Sequence, residues 1–256
     1  MTDWAWQQRW KALIEKLQVV TDAADQQRLV TTLAAPDRPT VLGFVNAHAM
    51  NLVVSDTAYH QALSAADVLL RDGAGMKILF RRVGLEPGLN MNGTDFIPAL
   101  LAAFKGRHVA FWGTEEPYLS QAAQHCQARF GVQVVSTLHG FADVDHYLAL
   151  DRELQPALII LGMGMPRQEA IAARLAAAGR PCLVVCGGAI IDFLGGKVTR
   201  APRWLRRVGG EWVYRLLKEP KRLFKRYVIG NPMFLLRTLL CRKTAQEGAR
   251  NPPRTL

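Results

Sequence analysis

Short, continuous apolar runs alternate with stretches of helical character along most of this chain, and that alternation restricts the fold more than any other feature. The runs are TVLGFVN (40–46), ADVLL leading into Arg71-Asp72-Gly73, RHVAFWG (107–113), VQVVSTLHG (132–140), ALIILGMG (157–164) and CLVVCGGA (182–189). None of them alternates apolar with polar residues, which is the pattern of strands buried on both faces. Six alternations of strand and helix imply a doubly wound, mostly parallel α/β sheet. Ahead of them, residues 1 to about 35 read as helix, because Trp4, Trp10, Leu13, Leu17 and Val20 recur at three- and four-residue intervals until Pro36 and Pro39. That segment, 1–38, is expected to be a cover on the body. AHAMNLVVSDTAYHQALSAA reads as a single helix, and Thr94 or Asp95 is expected to cap the helix that starts near Asn92.

The second constraint is where the charge sits. Between Lys197 and Leu256 there are 16 Lys and Arg against three Glu, a net of +13, whereas the first 196 residues carry a net of −2. Trp204, Trp212, Tyr214, Phe224 and Tyr227 are interleaved with that charge. Leu205, Val208, Trp212, Leu216, Leu223 and Tyr227 recur at helical spacing beside the cations. This suits a helical segment lying on anionic lipid, each Lys or Arg adding on the order of 1 kcal/mol. The run Val228 to Leu240 contains Asn231, Pro232 and Arg237 and is too short to span a bilayer. The N-terminus has no basic stretch followed by an apolar one, so a signal peptide is not expected. Four Cys without C-x-x-C or zinc-ligand spacing read as free thiols in a reducing compartment. The expected organisation is therefore a Rossmann-like catalytic domain, 1–196, and a basic aromatic membrane-binding appendage, 197–256.

In doubly wound sheets ligands bind beyond the carboxyl ends of the strands, so candidates are sought there. Strand ends collect Asn46 and His48, Asp72 and Gly73, Gly113-Thr114, His139-Gly140, Gly162-x-Gly164 followed by Arg167-Gln168-Glu169, and Gly187-Gly188. Glycines let a ligand approach the backbone, and helix N-termini favour anions, so a phosphate-containing substrate fits. Gly162-x-Gly164 has Arg167 where a dinucleotide fingerprint needs glycine, and no G-x-x-x-x-G-K-[ST] occurs, so neither NAD nor a P-loop nucleotide is supported. Asp143-x-Asp145 could hold a divalent ion on a pyrophosphate, but it opens a helix, where Asp is common as a cap. Asp72, at the end of an apolar strand, is placed as a general base would be; an Asp-Gly turn bonding its own backbone is the alternative.

Taken together, these segments resemble the WecG/TagA/CpsF glycosyltransferases. The resemblance runs from about residue 40 to 230 and rests on Asn46, LLRDGAGM (69–76), NGTD (92–95), HGF (139–141), LGMGMPRQE (161–169), GGAIIDFLGG (187–196) and RAPRWLRRVGGEWVYRLLKEPKRLFKRY (200–227). It implies an inverting transferase that moves a hexosyl residue from a UDP-sugar to a saccharide on a polyprenyl diphosphate, peripherally at the cytoplasmic face of the bacterial inner membrane. Such enzymes serve exopolysaccharide, teichoic acid or surface antigen synthesis. The resemblance makes Asp72 the general base. It puts Asn46, Gly73, Asn90, Gly113, Phe141, Gly162, Gly164, Gln168, Glu169 and Gly187 at the substrate. The appendage's arginines, Arg200, Arg207, Arg215 and Arg222 among them, are expected at the diphosphates. No metal and no cofactor are implied, and a homo-oligomer is left open.

Three positions depart from the family: Phe44 where Thr is frequent, Asn90 where Arg is, and Phe141 where Tyr is. A lost hydroxyl and a lost guanidinium remove groups that hold sugar or phosphate. N-acetylmannosamine is therefore not carried over as the donor. LNMNGTDF (89–96) is closer to a glucuronosyl-transferring branch, leaving UDP-glucuronate, UDP-N-acetylmannosamine and its uronate as donors. Two other readings compete: a nucleotide-cofactor oxidoreductase, which follows from the sheet alone, and a nucleic-acid binder, which follows from the basic tail alone. The broken glycine fingerprint opposes the first, and the apolar stripe beside the cations opposes the second, so no nucleic acid is expected.

Overall fold

A computed structural model describes residues 5–207 and 209–241 of the chain, the side chain of Arg207 excepted. Trp4, Val208 and the basic residues from Arg242 onward, all used above, lie outside the described residues. The six expected strands are present: β2 (Pro39–Val45), β3 (Val68–Arg71), β4 (His108–Gly113), β5 (Gln133–Leu138), β6 (Leu158–Gly162) and β7 (Cys182–Cys186). A seventh, β1 (Leu17–Gln18), precedes them, and the sheet runs β1-β3-β2-β7-β6-β4-β5 with all pairs parallel. Alternate residues of the central strands feed two cores. Val45, Ile159, Leu161 and Val184 pack with Trp10, Met50 and Leu79 on one face. Leu42, Phe44, Ile160 and Val185 pack with Phe96, Leu100 and Phe104 on the other. That two-sided burial is why the central runs contain no alternating polar residue, whereas the edge strand β5, expected to be buried on both faces, is not.

Three local expectations are corrected. The N-terminal segment is two helices, Ala5–Lys16 and Ala23–Leu33, separated by β1. Leu17 and Gln18 pair with Leu69 and Leu70, and Asp22 restarts the helix by accepting from the Asp25 N–H at 2.8 Å. The helix expected from residue 47 to 66 breaks at Asp56, which is extended and caps the second of two helices, Ala47–Ser55 and Thr57–Ala65. Helix Gly93–Ala103 is capped by Asn92, whose side chain accepts from Asp95 N, and not by Thr94 or Asp95.

After β7 the chain forms short helices, Ile190–Leu194, Arg203–Arg207, Glu211–Lys218 and Pro220–Phe224, then a π turn, Lys225–Ile229, and helix Gly230–Leu240. This last helix is built into the body. Asn51 donates to Gly230 O at 2.7 Å and accepts from Arg237 at 2.6 Å, and Arg82 donates to Leu239 O at 3.0 Å. Phe234 is buried beside the Trp10 ring, centroids 5.4 Å apart, and against Gly75, where a Cβ would lie 3.2 Å from the Phe234 ring. The N-terminal cover and the last described helix therefore close on one another. Among the described residues no helix is long and apolar enough to cross a membrane.

Candidate active site

The chain lays down β2 and β3 on one side, crosses to β4 and β5, and returns through β6 to place β7 beside β2. A cavity of about 550 Å³ opens at the carboxyl ends of β2 through β7, where ligands bind in doubly wound sheets. Its far wall is made by the segment after β7, through Trp212, Arg215, Arg222, Arg226 and Tyr227.

The β2 and β3 ends form one polar corner. Asn46 caps helix Ala47–Ser55 by accepting from His48 N at 3.0 Å and Ala49 N at 3.1 Å, which turns its amide nitrogen toward Asp72 Oδ2 at 3.5 Å. The Asp72 backbone is fixed by donation to Val45 O at 2.9 Å. Gly73 adopts φ 90°, and its N–H donates to Asn90 Oδ1 at 2.7 Å. Beneath the turn lies the buried Arg71, whose guanidinium donates to Pro87 O (2.8 Å), Gly88 O (3.1 Å) and Gly73 O (3.2 Å). These bonds hold the Asp72 turn from behind, and the Asp72 side chain is left pointing at the cavity with Asn46 as its hydrogen-bond partner.

The β4, β6 and β7 ends form the opposite corner. A Cβ on Gly113 would sit 2.4 Å from Gly162 O, so the two strand ends touch backbone to backbone. Thr114 follows at φ 48°, an outlier for a β-branched residue, which costs about 1–3 kcal/mol and is characteristic of functional sites. Its N–H donates to Gly162 O at 3.2 Å and its hydroxyl to Asp192 Oδ1. Lys197 bridges Glu115 at 3.0 Å and Asp192 at 3.8 Å. Phe141, 77% exposed, stacks beside His139 at the rim, centroids 6.2 Å apart.

Burial dominates the titration of the corner around Asp72. Desolvation raises the Asp72 carboxyl above its ordinary range, opposed by the Asn46 bond and by the charge of Arg226. Burial, then Arg226, pushes His48 down to about 4, so its imidazole is neutral near pH 7. Burial lowers the Arg226 guanidinium too, and Arg215 and Arg222 add to the effect. Arg215 and Arg226 each keep a buried Nε without a hydrogen-bond partner among the described residues. They lean on aromatic faces, Arg215 on Phe193 at 5.7 Å and Arg226 on Tyr227 at 5.4 Å. Two partly buried cations that face a cavity, with no carboxylate in ion-pair contact among the described residues, form a site for an anion.

The cavity brings together Asn46, Asp72, Gly73, Phe141, Gly162, Gly164, Gln168, Gly187, Arg215 and Arg222 of the residues expected there. The others take different positions. Asn90 stands behind the Asp72 turn, Gly113 is a packing contact, and Glu169 is buried behind Gln168. Arg200 faces Asp95, making bonds of 2.5 and 3.1 Å. The side chain of Arg207 lies outside the described residues. Asp143 and Asp145 are exposed away from the cavity, Asp145 pairing with Arg174 at 3.7 Å. Among the described residues no cluster of three His, Cys, Asp or Glu could hold a metal ion. All four cysteines are buried and free.

The sequence matches the model of the glycosyl transferase WecG/TagA/CpsF family over residues 14–248. The chain belongs to that family. The match takes in both the sheet and the segment after β7, so every residue lining the cavity lies inside it. The chain is also similar to the N-acetylglucosaminyldiphosphoundecaprenol N-acetyl-β-D-mannosaminyltransferase of Bacillus spizizenii, with 27% identity over 169 residues. That alignment covers 64% of this chain and 65% of the relative, so the chain spans just under two thirds of the relative's length.

Several wall residues of this family member escape a reading of the sequence. Asp192 and Lys197 line the cavity, Asp192 accepting from the Thr114 hydroxyl 78 positions away and pairing with Lys197, which no local spacing signals. Arg226 is one of seven arginines between residues 200 and 226, and only its burial beside Asp72 distinguishes it.

Proposed function

We propose that this chain is a metal-independent, inverting hexosyltransferase that moves a sugar from UDP onto a saccharide carried by a polyprenyl diphosphate, in bacterial surface-polysaccharide synthesis. The observation that carries the reading is a recessed carboxylate facing, across one cavity, two arginines that have no carboxylate in ion-pair contact among the described residues. Inverting transfer needs those two things. A base must reach the acceptor hydroxyl, and positive charge must receive the departing diphosphate.

In this mechanism Asp72 accepts the proton of the acceptor hydroxyl as its oxygen attacks the anomeric carbon. The bond from that carbon to the β-phosphate oxygen breaks on the opposite face, and the electron pair leaves with UDP. Arg215 and Arg226 stabilise the charge that develops there, their aromatic supports keeping the guanidiniums in place. Arg222, held by Glu219 at 2.5 Å, adds to the same field. Asn46 orients Asp72, and Gln168 contacts the donor sugar. The similarity to the Bacillus spizizenii enzyme supports a lipid-linked acceptor. Phe44 and Phe141, which line the cavity, favour a donor other than N-acetylmannosamine, with glucuronate foremost.

The same reading puts the segment after residue 196 on the cytoplasmic face of the inner membrane. Of the 16 exposed large apolar residues among those described, 12 lie between Trp204 and Leu240, on the stretch that also holds the excess positive charge. Meanwhile Arg215, Arg222 and Arg226 turn inward to the cavity, an arrangement suited to a small anionic ligand and not to a nucleic-acid backbone. Arg226→Ala is expected to weaken UDP binding by about 10- to 100-fold, the range for losing a charge-assisted pair in a desolvated site. Calorimetric titration with UDP tests this, and unchanged affinity would move the diphosphate off this wall.

A further inference from the structure

Gln168 and Glu169 sit in the first turn of helix Arg167–Ala177 and are only 1% and 3% exposed. Gln168 reaches the cavity wall and Glu169 does not. Gln168 Oε1 accepts from Gly188 N at 3.0 Å, while Gln168 Nε2 donates to Glu169 Oε1 at 2.9 Å. The second carboxyl oxygen of Glu169 has no hydrogen-bond partner, and no cation is in ion-pair contact with it among the described residues. Its charged and titratable neighbours are Tyr59 from helix Thr57–Ala65 and Cys186 at the end of β7, neither of them a cation. The Tyr59 hydroxyl is itself buried without a partner. A carboxyl in such surroundings costs stability, and an apolar side chain of similar size would pack there at no such cost. Burial pushes the group up to about 7, against 4.5 ordinarily. A buried polar group that weakens the fold is the kind of local inconsistency that marks a functional position.

The amide of Gln168 has two N–H donors and two acceptor lone pairs. One donor is taken by Glu169 and one lone pair by Gly188. Turning the amide over would set Nε2 against the Gly188 N–H and Oε1 against the Glu169 carboxyl oxygen, donor to donor and acceptor to acceptor. Protonation at the unpartnered oxygen leaves the other an acceptor, so the arrangement persists in either state.

We infer that Glu169 is a positioning residue: it locks the Gln168 amide in one orientation, so that one N–H and one lone pair face a hydroxyl-bearing sugar in the cavity. This rests on the reading of the cavity as the donor site. It makes Glu169 a determinant of how the sugar is held, acting through Gln168 without touching the ligand.

The test compares Glu169→Gln, Glu169→Met, Glu169→Leu, Gln168→Ala and the double variant Gln168→Ala/Glu169→Met, measuring Tm, kcat and KM for the UDP-sugar. Glu169→Gln keeps an acceptor and is expected within about threefold of the parent. Glu169→Met should lower kcat/KM by about tenfold, the scale of one misplaced hydrogen bond, with Tm unchanged or higher. In the Gln168→Ala background it should cost nothing further, because the group it acts through is gone. Losses that add in the double variant, or normal turnover by Glu169→Met, would overturn the inference. So would a marked fall in Tm in both Glu169→Met and Glu169→Leu, since the carboxyl would then be supporting the fold. Normal transfer by Gln168→Ala would instead overturn the placement of the sugar, and the inference with it.

Discussion

Asp72→Asn is expected to lower transfer by about 10²-fold or more with little change in Tm, the usual scale for loss of a general base. Asparagine has the same shape, and the turn beneath it is held by Arg71, Asn90 and Val45 through contacts that do not use the Asp72 carboxylate. The pH dependence gives a second readout. The carboxyl is raised by burial, so in the parent the rate should fall as pH drops through that raised value, the protonated acid being unable to accept the hydroxyl proton. The Asn variant should lack this acidic limb. Stability moves the other way. Between the unfolded and the raised folded pKa the native state binds the additional proton, so stability falls as pH rises through that window. Asp72→Asn should flatten this slope, which urea melts at several pH values would show. Near-normal turnover by the Asn variant would remove Asp72 from the role of base.

Replacing Leu236, Leu239 and Leu240 with Gln is expected to reduce binding to anionic vesicles by about 10²-fold or more. The three are 56–65% exposed on helix Gly230–Leu240, and a fully buried Leu contributes about 1.5–3 kcal/mol, so even partial insertion of three is a large term. The variant is more informative than deleting residues 200–256. Deletion would also strip Phe234 from Trp10 and Gly75 and leave Asn51 without Gly230 and Arg237, so lost binding could reflect a damaged body. The Leu variants leave Phe234 and the Asn51 bonds in place. Vesicle sedimentation at low and high salt separates the apolar contribution from that of the surrounding Lys and Arg, which salt screens. Undiminished sedimentation would move the membrane contact to another surface.

The positions of Asn46, Asp72, Gly162 and Gln168 at strand ends could be read from sequence because a doubly wound sheet puts its ligand at the carboxyl ends of its strands, and the apolar runs mark those ends. The roles of the arginines could not. Arg200 is occupied by Asp95, 105 positions away, while Arg226 is stacked on Tyr227 and faces Asp72. Local composition treats the two alike. The resemblance puts Gln168 and Glu169 together at the substrate, but one step along a helix turns the side chain by about a quarter of a turn, and Glu169 is buried behind Gln168. β1 was hidden for a different reason. Leu17 continues the apolar spacing of the preceding helix, and only its pairing with Leu69 makes it a strand.

The proposed function divides the site, with base and donor at the strand ends and the cations for the departing diphosphate on the segment that follows β7. The most direct test is UDP release from a panel of UDP-hexoses and UDP-hexuronates, with and without a polyprenyl-diphosphate-linked saccharide in anionic vesicles. One donor should release UDP rapidly, only when the lipid-linked acceptor is present, and the new glycosidic bond should have the opposite anomeric configuration to the donor. Retention of configuration, or release that does not depend on the lipid-linked acceptor, would contradict it.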